Sequence, residues 1–157
     1  MAKSSVKLDY SKLQKLKEQI ERLGDPTQTD QFLTSCAKEL AARLLAKVIK
    51  RTPVGQYPSG SGKTGGTLRR GWTAGKSSNA NAYANSLNVD KVGTDYVIEI
   101  TNPVEYASYV EFGHRTRNHK GWVEGKFMLT ISEDEIRKSA PRILEKKLEK
   151  YLEECFK

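Results

Sequence analysis

The stretch FLTSCAKELAARLLAKVI, residues 32–49, carries the clearest periodicity of this 157-residue chain. Its apolar residues recur every three or four positions, which places them on one broad stripe of a helix. The stripe comprises Phe32, Leu33, Cys36, Ala37, Leu40, Ala41, Leu44, Leu45, Val48 and Ile49. Pro53 bounds it, because the residue before a proline disfavours the helical conformation. We expect this helix, which would follow DPTQTD, to lie against the core.

Two further helical patterns flank this stretch. Residues 8–24, LDYSKLQKLKEQIERLG, predict an amphipathic N-terminal helix that stops at Gly24. A Ser-x-x-Glu capping box predicts that a long C-terminal helix starts at Ser132, kinks at Pro141 and is re-capped by Ser139. The apolar residues of the first are Leu8, Leu13, Leu16, Ile20 and Leu23, and those of the second are Ile136, Ala140, Ile143, Leu144, Leu148, Leu152 and Phe156.

Shorter elements are predicted between these helices. DYVIEIT alternates, with Tyr96, Ile98 and Ile100 on one face, and TLRRGWT (67–73) resembles a second strand, so we expect an antiparallel sheet. NPVE (102–105) is a strong helix start, and that short helix would end in a left-handed residue at Gly113. The run WVEGKFMLTI (122–131) is compatible with a strand or with the lead-in to a helix.

The segment PVGQYPSGSGKTGG (53–66) predicts a long, mobile, exposed loop, because glycine and proline give the backbone no regular preference.

The chain length suits one domain, residues 1–157, that buries about two-thirds of its unfolded surface. The predicted fold class is α+β: an antiparallel β-sheet packed by N-terminal helices and a long kinked C-terminal helix.

The net charge of +8 is concentrated in one part of the chain. Residues 40–89 contain no acidic side chain and eight basic ones, whereas the other 19 basic residues balance the 19 acidic ones. Such a segment suits a polyanion or an acidic protein surface, because an anionic partner relieves the repulsion among its charges. A merely solvated basic loop is the plainer interpretation.

The residues that usually carry catalysis or bind metals do not form a recognisable set. Cys36 and Cys155 lie at helical spacing among apolar residues, which is typical of buried reduced thiols. His114 and His119 lack the partners of a zinc site. Glu111 is flanked by apolar residues near a histidine, but an ion pair with Arg115 or Arg117 explains it more simply than acid catalysis. We therefore expect no enzyme activity, no metal and no cofactor.

The sequence GSGKT (60–64) superficially resembles a phosphate-binding loop. The full pattern needs a glycine five residues before Gly62, where Tyr57 stands. A phosphate-binding loop also joins a buried strand to a helix, whereas this one follows a helix and precedes the strand-like TLRRGW.

No run of about 18 apolar residues and no signal-peptide pattern occurs, so we expect a cytoplasmic protein without a membrane partner.

Two motifs together resemble a known family. TPV (52–54) with GGTLRRGW (65–72), and VEYASYVEFGHRTR (104–117), followed by GWVEGKFML and a long terminal helix, are similar to the tail-component family of tailed bacteriophages and prophages. The first motif rests on Pro53, Gly66, Leu68, Arg69 and Trp72, and the second on Tyr106, Ala107, Val110, Glu111, Phe112 and Gly113.

The resemblance covers the chain from about Leu40 onward, and the N-terminal helix, residues 1–24, lies outside the recognised motifs. The sequence departs from the family pattern in its long loop after Pro53, in Gly65 where threonine or serine is usual, and in His114 where threonine is common. The loop therefore suits a contact specific to a subtype.

The resemblance implies a structural virion assembly protein of a long-tailed phage or prophage. Such head-tail joining or tail-completion subunits form a homo-oligomeric ring, expected to be a hexamer, in the neck between connector and tail. The implied partners are other copies of the chain, connector or adaptor proteins, and the tail tube or tail terminator. The implied location is the bacterial host cytoplasm during assembly and then the neck of the virion.

A ring needs complementary patches on each subunit, and aromatic anchors beside charged groups suit them. The candidate interface residues are Tyr106, Tyr109, Glu111 and Phe112, although Tyr106 and Val110 share a helical face that is equally suited to packing on the sheet. Basic residues would meet DNA in a channel, without reading bases, or a partner protein; they are Lys63, Arg69, Arg70, Arg115 and Arg117. The alternative function is a basic, non-specific nucleic-acid-binding module.

Overall fold

The computed structural model describes residues 10–77 and 79–157. Leu8 lies outside the described residues, as do the side chains of Leu13 and Leu16. Described helices are α1 (Tyr10–Leu23), α2 (Pro26–Arg51), α3 (Thr67–Gly71), α4 (Ala80–Ser86), α5 (Ala107–Phe112) and α6 (Met128–Cys155). The strands are β1 (Val89–Val92), β2 (Asp95–Ile98), β3 (Gly113–Arg115) and β4 (Trp122–Glu124). The α+β prediction is confirmed, with the strands in two antiparallel hairpins, β1–β2 and β3–β4, rather than in one sheet.

Helix α2 is the centre of the fold, as its apolar stripe predicts. It contacts the helices α1, α3, α4 and α6 and both strands of the first hairpin. It begins five residues earlier than predicted, because Asp25 accepts a hydrogen bond from the Thr27 amide (2.9 Å) and Pro26 suits the first helical position. The core cluster consists of Ala41, Leu45, Val48, Leu68, Trp72, Ala84 and Met128.

The prediction that TLRRGWT is a strand was wrong. Its first five residues form the short helix α3, and Leu68 within it and Trp72 just after it are four residues apart and both buried against α2. The Asn- and Ala-rich segment that follows forms α4, whose first turn is capped by the Asn79 side chain. In the 53–66 loop, residues 53–64 are all exposed and without regular structure, as expected.

Both predicted helix starts in the second half of the chain were misplaced. Helix α5 begins at Ala107, although the Asn102 oxygen accepts from the Val104 amide (3.2 Å) as a helix cap would; the Asn102 amide also donates to the Leu68 carbonyl (2.8 Å). The ambiguous WVEGKFMLTI contains both structures, β4 and then the first turn of α6. Ser132 is a buried residue inside that helix.

Helix α6 continues through Pro141 without an interruption. The Ser139 hydroxyl donates back to the Glu135 carbonyl (3.0 Å), so it does not act as the cap predicted for a second helical segment. Gly24 follows the last residue of α1, as expected. Gly113 follows the last residue of α5 and has the expected positive φ, 86°, and it is also the first residue of β3.

A buried junction at Thr52 joins α2 to α3. The Thr52 hydroxyl donates to the Val48 carbonyl (2.6 Å) and accepts from the Trp72 indole N–H (2.8 Å). The Arg69 guanidinium donates twice to the Thr52 carbonyl, at 2.7 and 3.2 Å. Thr52 is 0% exposed, so losing these bonds would leave buried polar groups unpaired.

Thr52→Val tests this junction, because valine keeps the shape of threonine and removes the hydroxyl. The free energy of unfolding, measured by urea denaturation, should fall by about 1–3 kcal/mol, since the indole N–H loses its acceptor. Thr64→Val makes the same chemical change at an exposed position and should leave stability unchanged within about 0.5 kcal/mol. Equal effects of the two variants would contradict the role of Thr52.

Ion pairs also connect α2 with α6. Lys47 and Arg51 contact Glu135 at 2.8 and 2.6 Å, and Lys147 contacts Glu39 at 2.9 Å. A hydrogen bond from Lys147 is the largest influence that lowers the pKa of Glu39 below its usual value of 4.5, and Lys47 followed by Arg51 lowers the pKa of Glu135.

These lowered pKa values predict a loss of stability in acid. The two carboxylates stabilise the folded state fully above their unfolded pKa near 4.5, and the contribution is lost as the pH falls through their lower folded pKa values. Urea unfolding between pH 7 and pH 2 should therefore show a smaller pH dependence for Glu39→Gln/Glu135→Gln than for the unmodified chain. The control Glu149→Gln/Glu153→Gln removes two exposed carboxylates. An unchanged slope in the first variant would contradict the prediction.

Candidate interaction surface

The Glu111 carboxylate lies at the N-terminus of α6. It accepts hydrogen bonds from the Leu129 amide (2.9 Å), the Thr130 amide (2.8 Å) and the Thr130 hydroxyl (2.6 Å). The first amides of a helix have no partner within it and carry partial positive charge, so a carboxylate there satisfies both needs. Glu111 is 6% exposed, and its charge is compensated inside the chain.

The contact between Glu111 and the start of α6 forms a joint between α5 and α6. Two backbone hydrogen bonds and two closely packed glycines complete this joint. The Lys126 and Phe127 amides donate to the carbonyls of Val110 (2.7 Å) and Glu111 (3.0 Å). A Cβ added at Gly113 would stand 2.5 Å from the Val123 carbonyl oxygen, and one at Gly125 would stand 2.4 Å from the Glu111 carbonyl oxygen. The two backbone segments therefore approach each other too closely for any side chain at these positions.

Four exposed aromatic residues surround the joint, and we call them the aromatic surface: Tyr109, Phe112, Trp122 and Phe127. Phe112 is 62% exposed and meets Phe127 edge-on, with ring centroids 6.5 Å apart. Tyr109 is one helical turn from Phe112 and lies 5.7 Å from the His114 ring. The Trp122 indole lies beside Gly113 and is 55% exposed. Glu111 and the paired backbones thus hold an apolar surface that faces solvent.

The predicted interface residues divide into two groups. Tyr106, Tyr109 and Phe112 are exposed, at 44%, 58% and 62%. Glu111 is buried and positions its neighbours from beneath. The predicted ion pair between Glu111 and Arg115 is absent from the described residues, because the start of α6 takes the carboxylate instead.

The predicted basic residues also divide. Lys63, Arg70, Arg115 and Arg117 are exposed, in the 53–66 loop, on α3 and on the β3–β4 hairpin. Arg69 is half-buried and occupied by the Thr52 carbonyl, so it supports the fold rather than a surface.

The GSGKT segment lies in the exposed loop, where Lys63 stands 5.9 Å from the Tyr57 ring. The element that follows the GSGKT segment is the helix α3, so the prediction that a strand follows it was wrong. The missing glycine at Tyr57 and the preceding helix still separate the segment from a phosphate-binding loop. Within residues 10–77 and 79–157, His, Cys, Asp and Glu form no group of three or more arranged to hold a metal.

The two cysteines were expected to be buried reduced thiols, and no membrane-spanning helix was expected. Cys36 is buried and Cys155 is half-buried, both as free thiols, and burial raises the pKa of Cys36. None of the described helices is long and apolar enough to span a membrane.

The sequence did not identify Phe127 as a surface residue, and it did not place Trp122 beside the candidate interface residues. Both lie in WVEGKFMLTI, which was compatible with a strand or with the lead-in to a helix. Phe127 has a left-handed backbone, with φ 46° and ψ 38°, which is unfavourable for a bulky residue. No local pattern announces this conformation, because the bonds to Glu111 and Val110 impose it.

Glu111→Gln tests the joint. Glutamine keeps an acceptor for one amide but loses the charge at the helix terminus, so the free energy of unfolding should fall by about 1–3 kcal/mol in urea denaturation. Glu124→Gln is the matched control, because Glu124 is exposed on the neighbouring strand β4. Stability that is equally insensitive to both changes would show that the carboxylate does not hold α6.

Residues 14–113 match the model of a family described as "Bacteriophage HK97-gp10, putative tail-component". The match contains the first motif and the second motif as far as Gly113; it begins within α1, earlier than the resemblance indicated, and ends at the first residue of β3. No curated protein and no solved structure gives a significant match. Since the matched region is more than half of the chain, the chain belongs to the HK97-gp10-like family of bacteriophage tail components.

Proposed function

We propose that this tail component is a head-tail joining or tail-completion subunit, which assembles with copies of itself into a ring, a hexamer as the resemblance implies, in the neck of a long-tailed phage. The observation that carries the proposal is the aromatic surface, which the Glu111 joint holds in place at the end of the family match. The work of the subunit is structural rather than catalytic, in keeping with a family of tail components.

Exposure of the aromatic surface is unfavourable for an isolated subunit. Phe112, Tyr109 and Trp122 are each more than half exposed, and burial of such rings supplies much of the energy of protein interfaces. Phe127 adds a second argument, because its left-handed backbone would suit asparagine or glycine better than phenylalanine. Neither the exposed rings nor the choice of phenylalanine at position 127 benefits the folding of one chain, so both favour a role in association.

A ring also requires a different patch that receives the first one. A cavity of about 240 Å³ lies between the two ends of the 53–66 loop and the side of α5 that carries Val110. Its lining includes Val54, Tyr57, Tyr106 and Val110. We propose that this cavity receives aromatic side chains of the next subunit, which would give Tyr106 an interface role different from that of Phe112.

The remaining surfaces would face other components of the virion. The exposed Lys63, Arg70, Arg115 and Arg117 are available to a connector or adaptor protein, to the tail tube or tail terminator, or to the backbone of DNA passing through the ring. Assembly would take place in the cytoplasm of the bacterial host, and the assembled subunit would remain in the virion.

Phe112→Ala and Phe127→Asn separate association from folding. Both should weaken self-association by about tenfold or more in the dissociation constant, measured by concentration-dependent light scattering. Phe127→Asn should keep or raise subunit stability by up to about 1 kcal/mol, because asparagine tolerates the left-handed backbone. Phe156→Ala is the control, since Phe156 is 46% exposed at the far end of α6.

Equal losses of stability and association in Phe112→Ala would identify Phe112 as a folding residue and contradict the proposal. A chain that stays monomeric at all concentrations and also fails to join connectors or tails would contradict the ring. Strong, salt-dependent binding of duplex DNA by such a monomer would favour the nucleic-acid-binding alternative instead.

A further inference from the structure

A groove between α2 and α6 is not used by the proposed ring contacts. The two helices run antiparallel, since Phe32 stacks on Tyr151 at one end (4.4 Å between ring centroids) and Lys47 contacts Glu135 at the other. A groove of about 810 Å³ runs along one side of this pair, and we call it the basic groove. Its basic residues are Arg43, Lys47, Arg142, Lys146, Lys147 and Lys150.

The basic groove has more positive charge than its neighbours neutralise. Glu39, its one acidic lining residue, is shared by Arg43 and Lys147. Lys47 is paired with Glu135. The other three basic residues form no ion pair with any other residue that the structure describes; they are Arg142, Lys146 and Lys150.

The floor of the basic groove is apolar. Ala46 contributes from α2, and Ile136 and Ile143 contribute from α6. The lining residues of α6 extend from Ile136 to Lys150, about 21 Å along the axis at about 1.5 Å per residue. This length matches about four turns of a helix laid alongside, with a row of apolar side chains on the floor and acidic ones against the rim.

We infer that the basic groove binds an acidic amphipathic helix of a partner protein. An apolar floor between basic rims complements such a helix on both counts, by burial and by charge. The phosphate backbone of a nucleic acid would satisfy the rims but would offer nothing apolar to Ile143. A second copy of this chain is a poor occupant, because lysines alternate with glutamates along its α6 and its net charge is +8.

A synthetic helical peptide provides the probe. It would carry leucines at positions i, i+3, i+4 and i+7 and glutamates elsewhere, with a scrambled peptide of the same composition as its counterpart. Fluorescence anisotropy should show that the amphipathic peptide binds at least about tenfold more tightly than the scrambled one, and that added salt weakens it.

Two variants report on the two halves of the recognition. Arg142→Glu/Lys146→Glu/Lys150→Glu should weaken binding of the amphipathic peptide by about tenfold or more, and Ile143→Ser should weaken it several-fold. The control Lys50→Glu/Lys76→Glu/Lys126→Glu makes the same change in charge at exposed positions outside the groove and should bind normally. Circular dichroism and urea unfolding would verify that each variant is folded.

Three results would overturn the inference: equal binding of the scrambled peptide, equal losses in the control variant, or a duplex DNA that binds more tightly and is insensitive to Ile143→Ser. Phe112→Ala should bind the peptide normally, because the aromatic surface is separate from the basic groove. A failure of the ring proposal would therefore not affect this result.

Discussion

The contact between the Glu111 carboxylate and the first amides of α6 is the constraint on which the proposed surface depends. A buried carboxylate is costly unless it is fully hydrogen-bonded, and the free amides of a helix N-terminus supply those bonds together with a favourable dipole. One side chain thereby joins α5 to the longest helix of the fold. The price for the chain is a left-handed Phe127 and two glycines, Gly113 and Gly125, where backbones approach closely.

In the first motif, the buried hydrogen bonds of Thr52 likewise join two helices, α2 and α3. Trp72 and Arg69 converge on one residue at the end of α2, and the turn before α3 uses the positive φ of Gly66. Both motifs of the family are therefore, in large part, joints between helices. Among the six residues on which the second motif rests, Tyr106 and Phe112 are exposed, and folding does not explain them.

Much of the fold could be predicted from the periodicity of apolar residues. The predictions that were wrong have physical reasons. The stripe of α2 was predictable because ten apolar residues repeat over more than four turns. The strand assigned to TLRRGWT was wrong because seven residues do not distinguish the two periods, and only the packing of Leu68 and Trp72 on α2 decides for a helix. The start of α6 was misplaced because its cap is a side chain from a distant part of the sequence. The exposure of Phe112 was anticipated, because it lies off the helical face that Tyr106 and Val110 share, whereas the burial of Glu111 and the positions of Trp122 and Phe127 depend on that same long-range contact.

The central claim is that assembly covers the aromatic surface. Trp72 is 3% exposed and Trp122 is 55% exposed, so Trp122 should account for the fluorescence that acrylamide quenches in the dilute subunit. Quenching measured across the concentration range in which light scattering detects assembly tests the claim directly. The account predicts that Trp122 becomes protected as the ring forms. A Trp122 that remains equally quenchable in the assembled protein would contradict it.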